Sequence, residues 1–165
     1  MYPIRLGFDE ADARVKKLKK NGHHAEALIT SVFTFEKTLR RSLRFCAISR
    51  GFTSQHCDQL FGNMGFQKMK EVWPCFERDH KKLHDFIGAS WQHVQTAVTM
   101  RNKLAHGERV YNLSECRSYS DHVMAAVRDF RNATIREYNF DSWTKMPSKK
   151  KPSLNWSDNS VTKSK

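Results

Sequence analysis

At 165 residues and 39% hydrophobic content the chain can bury one core, and 29 Lys and Arg against 17 Asp and Glu leave it at +12. That balance favours polyanionic partners, nucleic acid first and acidic membrane second. No apolar run approaches membrane-spanning length, and Met1 to Arg5 lacks the apolar core of a signal peptide, so a soluble cytoplasmic protein is expected.

The first helical pattern begins at Asp9, carries Ala11, Ala13, Val15 and Leu18, and stops at Asn21-Gly22. A long second helix is predicted from about His23 to Arg50. Leu28, Val32, Phe35, Leu39, Leu43 and Cys46 form its apolar stripe, and Ile29, Phe33 and Ala47 widen it toward two neighbours. Glu36 stands inside this band. It has two readings, a surface i,i+4 pair with Arg40 or a carboxylate that holds a cation from another helix; on physical grounds alone the surface pair is the first expectation.

Gly51 ends this helix, and Thr53 or Ser54 caps a short one containing Cys57, Leu60 and Phe61. Gly62-Asn63-Met64-Gly65 is a turn, Phe66 to Trp73 forms two helical turns, and Pro74 is expected to close them. From Asp79, as N-cap, a helix with Leu83, Ile87, Trp91, Val94 and Val98 on one face is predicted to run to His106. The last long helix starts at Ser114, buries Tyr119, Val123, Ala126, Val127, Phe130, Ala133 and Tyr138, and ends near Asp141-Ser142.

The predicted fold is therefore all-α, an antiparallel four- to five-helix bundle over residues 1–143. Residues 144–165 form a basic tail of Ser, Lys, Pro and Asn that is expected to be disordered. The last 22 residues hold six Lys and one Asp, and without them the body still carries about +7. The cysteines Cys46, Cys57, Cys75 and Cys116 form no C-x-x-C pair and fit a reducing compartment.

Arg101-Asn102-Lys103-Leu104-Ala105-His106-Gly107 organises the reading of function. Arg101 falls in phase with the core stripe, where an unpaired charge costs several kcal/mol, so it must pair internally or face a cleft. Gly107 suits the C′ position beyond a helix end, which makes His106 the last helical residue. Arginine forks onto phosphate oxygens, and histidine exchanges protons near neutrality; together they supply what RNA phosphodiester cleavage needs. Asn102 adds a polar group that can position a phosphate or orient His106. On a straight helix Arg101 and His106 stand about 7.5 Å apart along the axis and about 140° around it, so one regular helix does not join them. A frayed last turn or a second copy of the helix would.

This run resembles the R-(polar)-x3-H motif of HEPN domains. Phe35-Glu36-Lys37-Thr38-Leu39-Arg40 resembles an acidic amphipathic helix of the same fold. The resemblance covers most of residues 9–140, and its specific part is seven residues long. It implies a helical bundle with no cofactor and no metal, a metal-independent endoribonuclease that leaves a cyclic 2′,3′-phosphate, and a homodimer with two motifs in one cleft. It implies Arg101, Asn102 and His106 as catalytic residues and Glu36 as their support. Lys103, Arg109, Arg40 and Arg44 are the expected RNA-contacting cations. The resemblance also implies a toxin or anti-phage defence effector, with an antitoxin or nucleotidyltransferase as a possible partner.

Two other classes compete. A non-catalytic RNA-binding or regulatory module would use the same basic cleft. A purely structural reading pairs Arg101 with Glu36 and makes the motif a helix stop. Elsewhere, His80 and His84 have one-faced metal spacing without a third ligand and read as solvated or capping residues. Phe33, Phe35, Trp91 and Phe130 read as core, while Trp156 in the tail could stack on a base or anchor a partner.

Overall fold

In the computed structural model, described for residues 7–154, the helices are α1 (Phe8–Lys20), α2 (His24–Ser49), α3 (Ser54–Phe61), α4 (Phe66–Phe76), α5 (Leu83–Ile87), α6 (Trp91–Ala105) and α7 (Leu113–Tyr138), with a 3-10 turn at Gly88–Ser90. No strand occurs among the described residues, and no helix there is long and apolar enough to cross a membrane.

Helix α2 is the axis of the bundle, touching α1, α3, α4, α6 and α7. Its predicted stripe is buried from Leu28 to Cys46. A second stripe that the apolar pattern does not show is buried as well: Ser31, Thr34, Thr38 and Ser42. Each of these hydroxyls donates to a carbonyl three or four residues back, at 2.8–2.9 Å, so small polar side chains enter the interior with their donors satisfied. Phe33, expected to widen the core face, is instead 41% exposed.

Helices α2 and α7 run parallel. The Ser120 hydroxyl donates to the Ala27 carbonyl, Phe35 lies 6.1 Å from Phe130, and Phe45 lies 6.3 Å from Tyr138, the register rising together on both helices. The expectation of a wholly antiparallel bundle is corrected here: α3 to α6 carry the chain back to the end at which α2 began. Around the two long helices the aromatic core closes edge to face, with Trp73 at 5.4 Å from Phe130 and 5.3 Å from Phe86.

Element ends differ from the sequence reading in identifiable ways. Pro74 does not close α4, which continues to Phe76, because Phe76 packs on Phe52 and Phe61 and the proline forfeits only one bond near the helix end. The single helix expected from Asp79 is broken at Gly88, whose φ of 63° and ψ of −136° suit glycine alone. Its start is Lys82, whose N–H is taken by the Asp85 carboxylate at 2.9 Å. Asn112, not Ser114, caps α7 by accepting the Glu115 N–H at 2.7 Å, and α7 stops at left-handed Asn139 rather than at Asp141.

The chain beyond α7 is not helical, yet residues up to 154 are tied to the body. Arg41 donates to the carbonyls of Ser142 and Thr144, and the Trp143 indole N–H donates to Thr38 Oγ1 at 3.1 Å. Farther on, Lys149 exchanges bonds with Ser54, and Ser153 N–H reaches the Gly51 carbonyl. Boundary assignment at Thr144 thus falls inside an attached segment; Trp156 lies outside the described residues.

Phe35→Ala should cost about 3–5 kcal/mol and lower Tm by roughly 10 °C, read by calorimetry, because it empties the contact between α2, α4 and α7. Acid should act through Asp141. The Arg131 guanidinium, bonded to both its oxygens at 2.8 and 2.6 Å, holds this carboxyl below its ordinary value. A depressed carboxyl stabilises the fold above its unfolded pKa, about 4, and that contribution disappears as pH falls through the folded value. Urea midpoints between pH 7 and pH 2 should therefore fall less steeply for Asp141→Asn, which starts lower at pH 7.

Candidate functional site

Val94, Ala97 and Val98 seat α6 against the core, and the next turn presents Arg101 to α2. Its guanidinium forks onto Glu36, with Nη2 to Oε1 at 2.5 Å and Nη1 to Oε2 at 3.2 Å, and the two side chains are only 12% and 13% exposed. Nε donates to Asn102 Oδ1 at 2.8 Å, and the plane lies over the Phe33 ring at 5.0 Å.

The surface pair Glu36–Arg40 is therefore replaced by the interhelical one. Arg40 turns away and donates to the carbonyls of Phe61 and Met64, at 3.0 and 2.8 Å, around the end of α3. The physical reason is desolvation: a guanidinium held between helices needs a carboxylate, whereas Arg40 finds two helix-end acceptors within reach.

The end of α6 is a Schellman turn. Gly107, at φ 66°, donates to the Leu104 carbonyl at 3.2 Å, and Glu108 donates to Lys103 at 2.9 Å. His106 sits just ahead of it as the C-cap with its side chain exposed. Its backbone is held while its imidazole faces outward.

Arg101 and Asn102 line a groove of about 690 Å³ with Glu36, Gln67, Lys68, Gln95 and Thr99, floored by Phe66 and Val98. His106 is not part of its lining, so one chain does not bring the two motif residues into one cleft. Gln95, Thr99 and Asn102 recur at intervals of four and three on α6, a periodic polar face present in the sequence but not marked by any apolar pattern. Gln67 and Lys68 arrive from α4 and had no such signal.

Chemically, the groove offers a fixed cation. Arginine has five N–H donors, three of which go to Glu36 and Asn102, leaving two for an anion. The Asn102 amide is exposed beside it.

The remaining predicted cations are elsewhere. Arg44 pairs with Asp58 and, with Arg40, lines a separate groove of about 250 Å³. Lys103 is half-buried, and exposed Arg109 stacks its guanidinium 4.9 Å from the Tyr111 ring. His80 Nδ1 meets the Pro74 carbonyl at 2.8 Å, while His84 contacts Asp85 at 3.0 Å. Among the described residues no group of three or more His, Cys, Asp and Glu is placed to hold a metal ion.

No family model matches the chain, and neither a curated protein nor a solved structure shows significant similarity to it.

Removing one partner of the Arg101–Glu36 pair leaves a charge unpaired between helices. Glu36→Leu and Arg101→Met should each destabilise by roughly 3 kcal/mol, and the double variant by clearly less than their sum, in a urea double-mutant cycle. Additive losses would mean that the two groups are not coupled.

Proposed function

We propose that this chain is a metal-independent endoribonuclease of the HEPN type, working as a homodimer, in the class of toxins and defence effectors. The observation that carries the reading is the division of labour along the end of α6. Arg101 is locked in place with two N–H donors to spare, Asn102 lies exposed beside it, and His106 projects freely from a held turn. The net charge of +12 supports an RNA substrate.

In the proposed reaction the 2′-oxygen of RNA attacks the adjacent phosphorus and the bond to the 5′-oxygen breaks. One imidazole takes the 2′-hydroxyl proton and an acid delivers a proton to the leaving 5′-oxygen, giving a 2′,3′-cyclic phosphate and a 5′-hydroxyl end. Arg101 stabilises the charge that gathers on the non-bridging oxygens. Because His106 stands outside the groove of its own chain, the reading places the second copy's motif across the cleft, where two histidines can serve as base and acid.

One observation favours a second reading. The Glu36 fork and the Schellman turn together are what a purely structural motif requires, an internal ion pair followed by a helix stop. Both readings predict lost stability on Arg101→Ala. They separate at His106, whose exposed side chain has little to contribute to the fold.

Single-turnover cleavage of mixed tRNA and mRNA in EDTA should therefore fall at least ~100-fold for His106→Ala with Tm unchanged, while wild type leaves cyclic phosphate ends. RNA binding without cleavage by either protein would turn the assignment to a binding module. Neither binding nor cleavage would leave the motif a structural role.

A further inference from the structure

Lys37, Arg41 and Arg44 stand at intervals of four and three on α2, one ridge roughly 80–140° around the helix from Glu36, with Arg40 between that ridge and Glu36. Crowding is evident in their chemistry. Burial, and then the neighbouring Arg41, lowers the Lys37 pKa; burial, and then Arg44, lowers that of Arg41. Carbonyl acceptors take up hydrogen bonds from Arg40 and Arg41 but do not cancel their charge. Of the carboxylates nearby, Asp58 pairs with Arg44, and Asp141, bonded to Arg131, also offsets part of the Arg41 charge.

The segment after α7 adds to this ridge. Lys37 lies 4.5 Å from the centre of the Trp143 ring, Arg41 holds the Ser142 and Thr144 carbonyls, and Met146 closes one wall of the 250 Å³ groove that Arg40, Arg41 and Arg44 line. The bonds to Ser54 and Gly51 then carry the segment on to the corner between α2 and α3. Lys145, Lys149, Lys150 and Lys151 are thereby strung along the edge that the α2 cations already occupy. Like charges gathered this way are a cost in the free protein that a bound polyanion relieves.

We infer that this α2 ridge and the segment 144–154 form a track for the phosphate backbone of single-stranded nucleic acid, separate from the Arg101 groove. The inference rests on the proposed RNA substrate and names where that substrate is gripped. A nucleic-acid backbone fits better than an acidic membrane, because among the described residues of α2, α3 and the segment the large exposed apolar side chains are Leu154, Leu60 and, under the Arg101 guanidinium, Phe33, too few for membrane insertion.

The test compares two triple variants of the full chain. Lys145, Lys150 and Lys151 are changed to Gln in one, and Lys16, Lys17 and Lys20 of α1 in the other; all six are exposed, and each set removes the same charge. The probe is a fluorescent 2′-O-methyl RNA of about 20 nucleotides, which lacks the nucleophile that cleavage needs, with affinity followed by anisotropy from about 50 to 200 mM salt. The segment variant should bind roughly tenfold or more weakly at low salt and lose about 0.7 in log–log salt slope for each phosphate contact removed, while the α1 variant stays close to wild type. Equal losses in the two variants, or none, overturn the inference and leave the RNA reading standing. Failure of wild type to bind the probe removes both, and tight binding to phosphatidylserine vesicles in its place turns the surface into a membrane contact.

Discussion

The fork between Arg101 and Glu36 is the constraint from which the arrangement of this bundle follows. Helix α2 touches five other helices, and its second buried stripe is built of serines and threonines that bond to their own helix. Such a helix has little freedom to accept a stray charge. Glu36 sits at the seam with α6, and the cation that answers it comes from the turn after Val98. A rotation of α6 by one residue, about 100°, would draw Arg101 off the carboxylate and swing Met100 or Asn102 into its place. The ion pair, together with Val94, Ala97 and Val98 in the core, therefore sets the rotation of α6 and, with it, the direction in which His106 leaves the helix.

The same geometry gives one guanidinium two relationships. Toward the protein it is bonded to Glu36 and Asn102 and lies over Phe33; toward the groove it keeps two donors. In the proposed function, anion recognition would use the part of the guanidinium edge that the forked carboxylate leaves unused, with the Glu36 charge offsetting part of the attraction. Fixing the plane also removes the entropy that a free arginine side chain would lose on meeting a phosphate.

Helix α2 presents different chemistry on two sides. Glu36 faces the groove, and the next residue, Lys37, begins the cationic ridge that ends at Arg44. In the proposed function, reaction and grip would lie on neighbouring faces of one helix. Residues that grip could then change the range of RNAs engaged without disturbing the ion pair that holds α6.

What the amino-acid order determined by itself is the set of features that depend on near neighbours. The α2 stripe from Leu28 to Cys46, the α7 stripe from Val123 to Ala133, a cap at Thr53 or Ser54 (it is Thr53), the turn at Gly62 to Gly65 and the helix stop at Gly107 arise from spacing along one helix or from single-residue conformational limits and are found where the pattern puts them. Tyr119 and Tyr138 of the α7 stripe are only half-buried. The anomaly of Arg101 was legible for the same reason, as a charge in phase with a core. Tertiary structure alone decided which residue would answer that charge. Glu36 had a partner of its own helix within reach, and only packing of α6 on α2 made the distant arginine the better one, by removing water from both. It also decided that Phe33 would face outward beneath a cation, that Gly88 would break a helix whose periodicity runs through it, and that residues 144–154 would lie along α2. That segment has almost no apolar content, so no pattern in it announces burial; it is held by backbone groups and by Trp143, whose partners on α2, Thr38 and Lys37, lie about a hundred residues earlier in the chain.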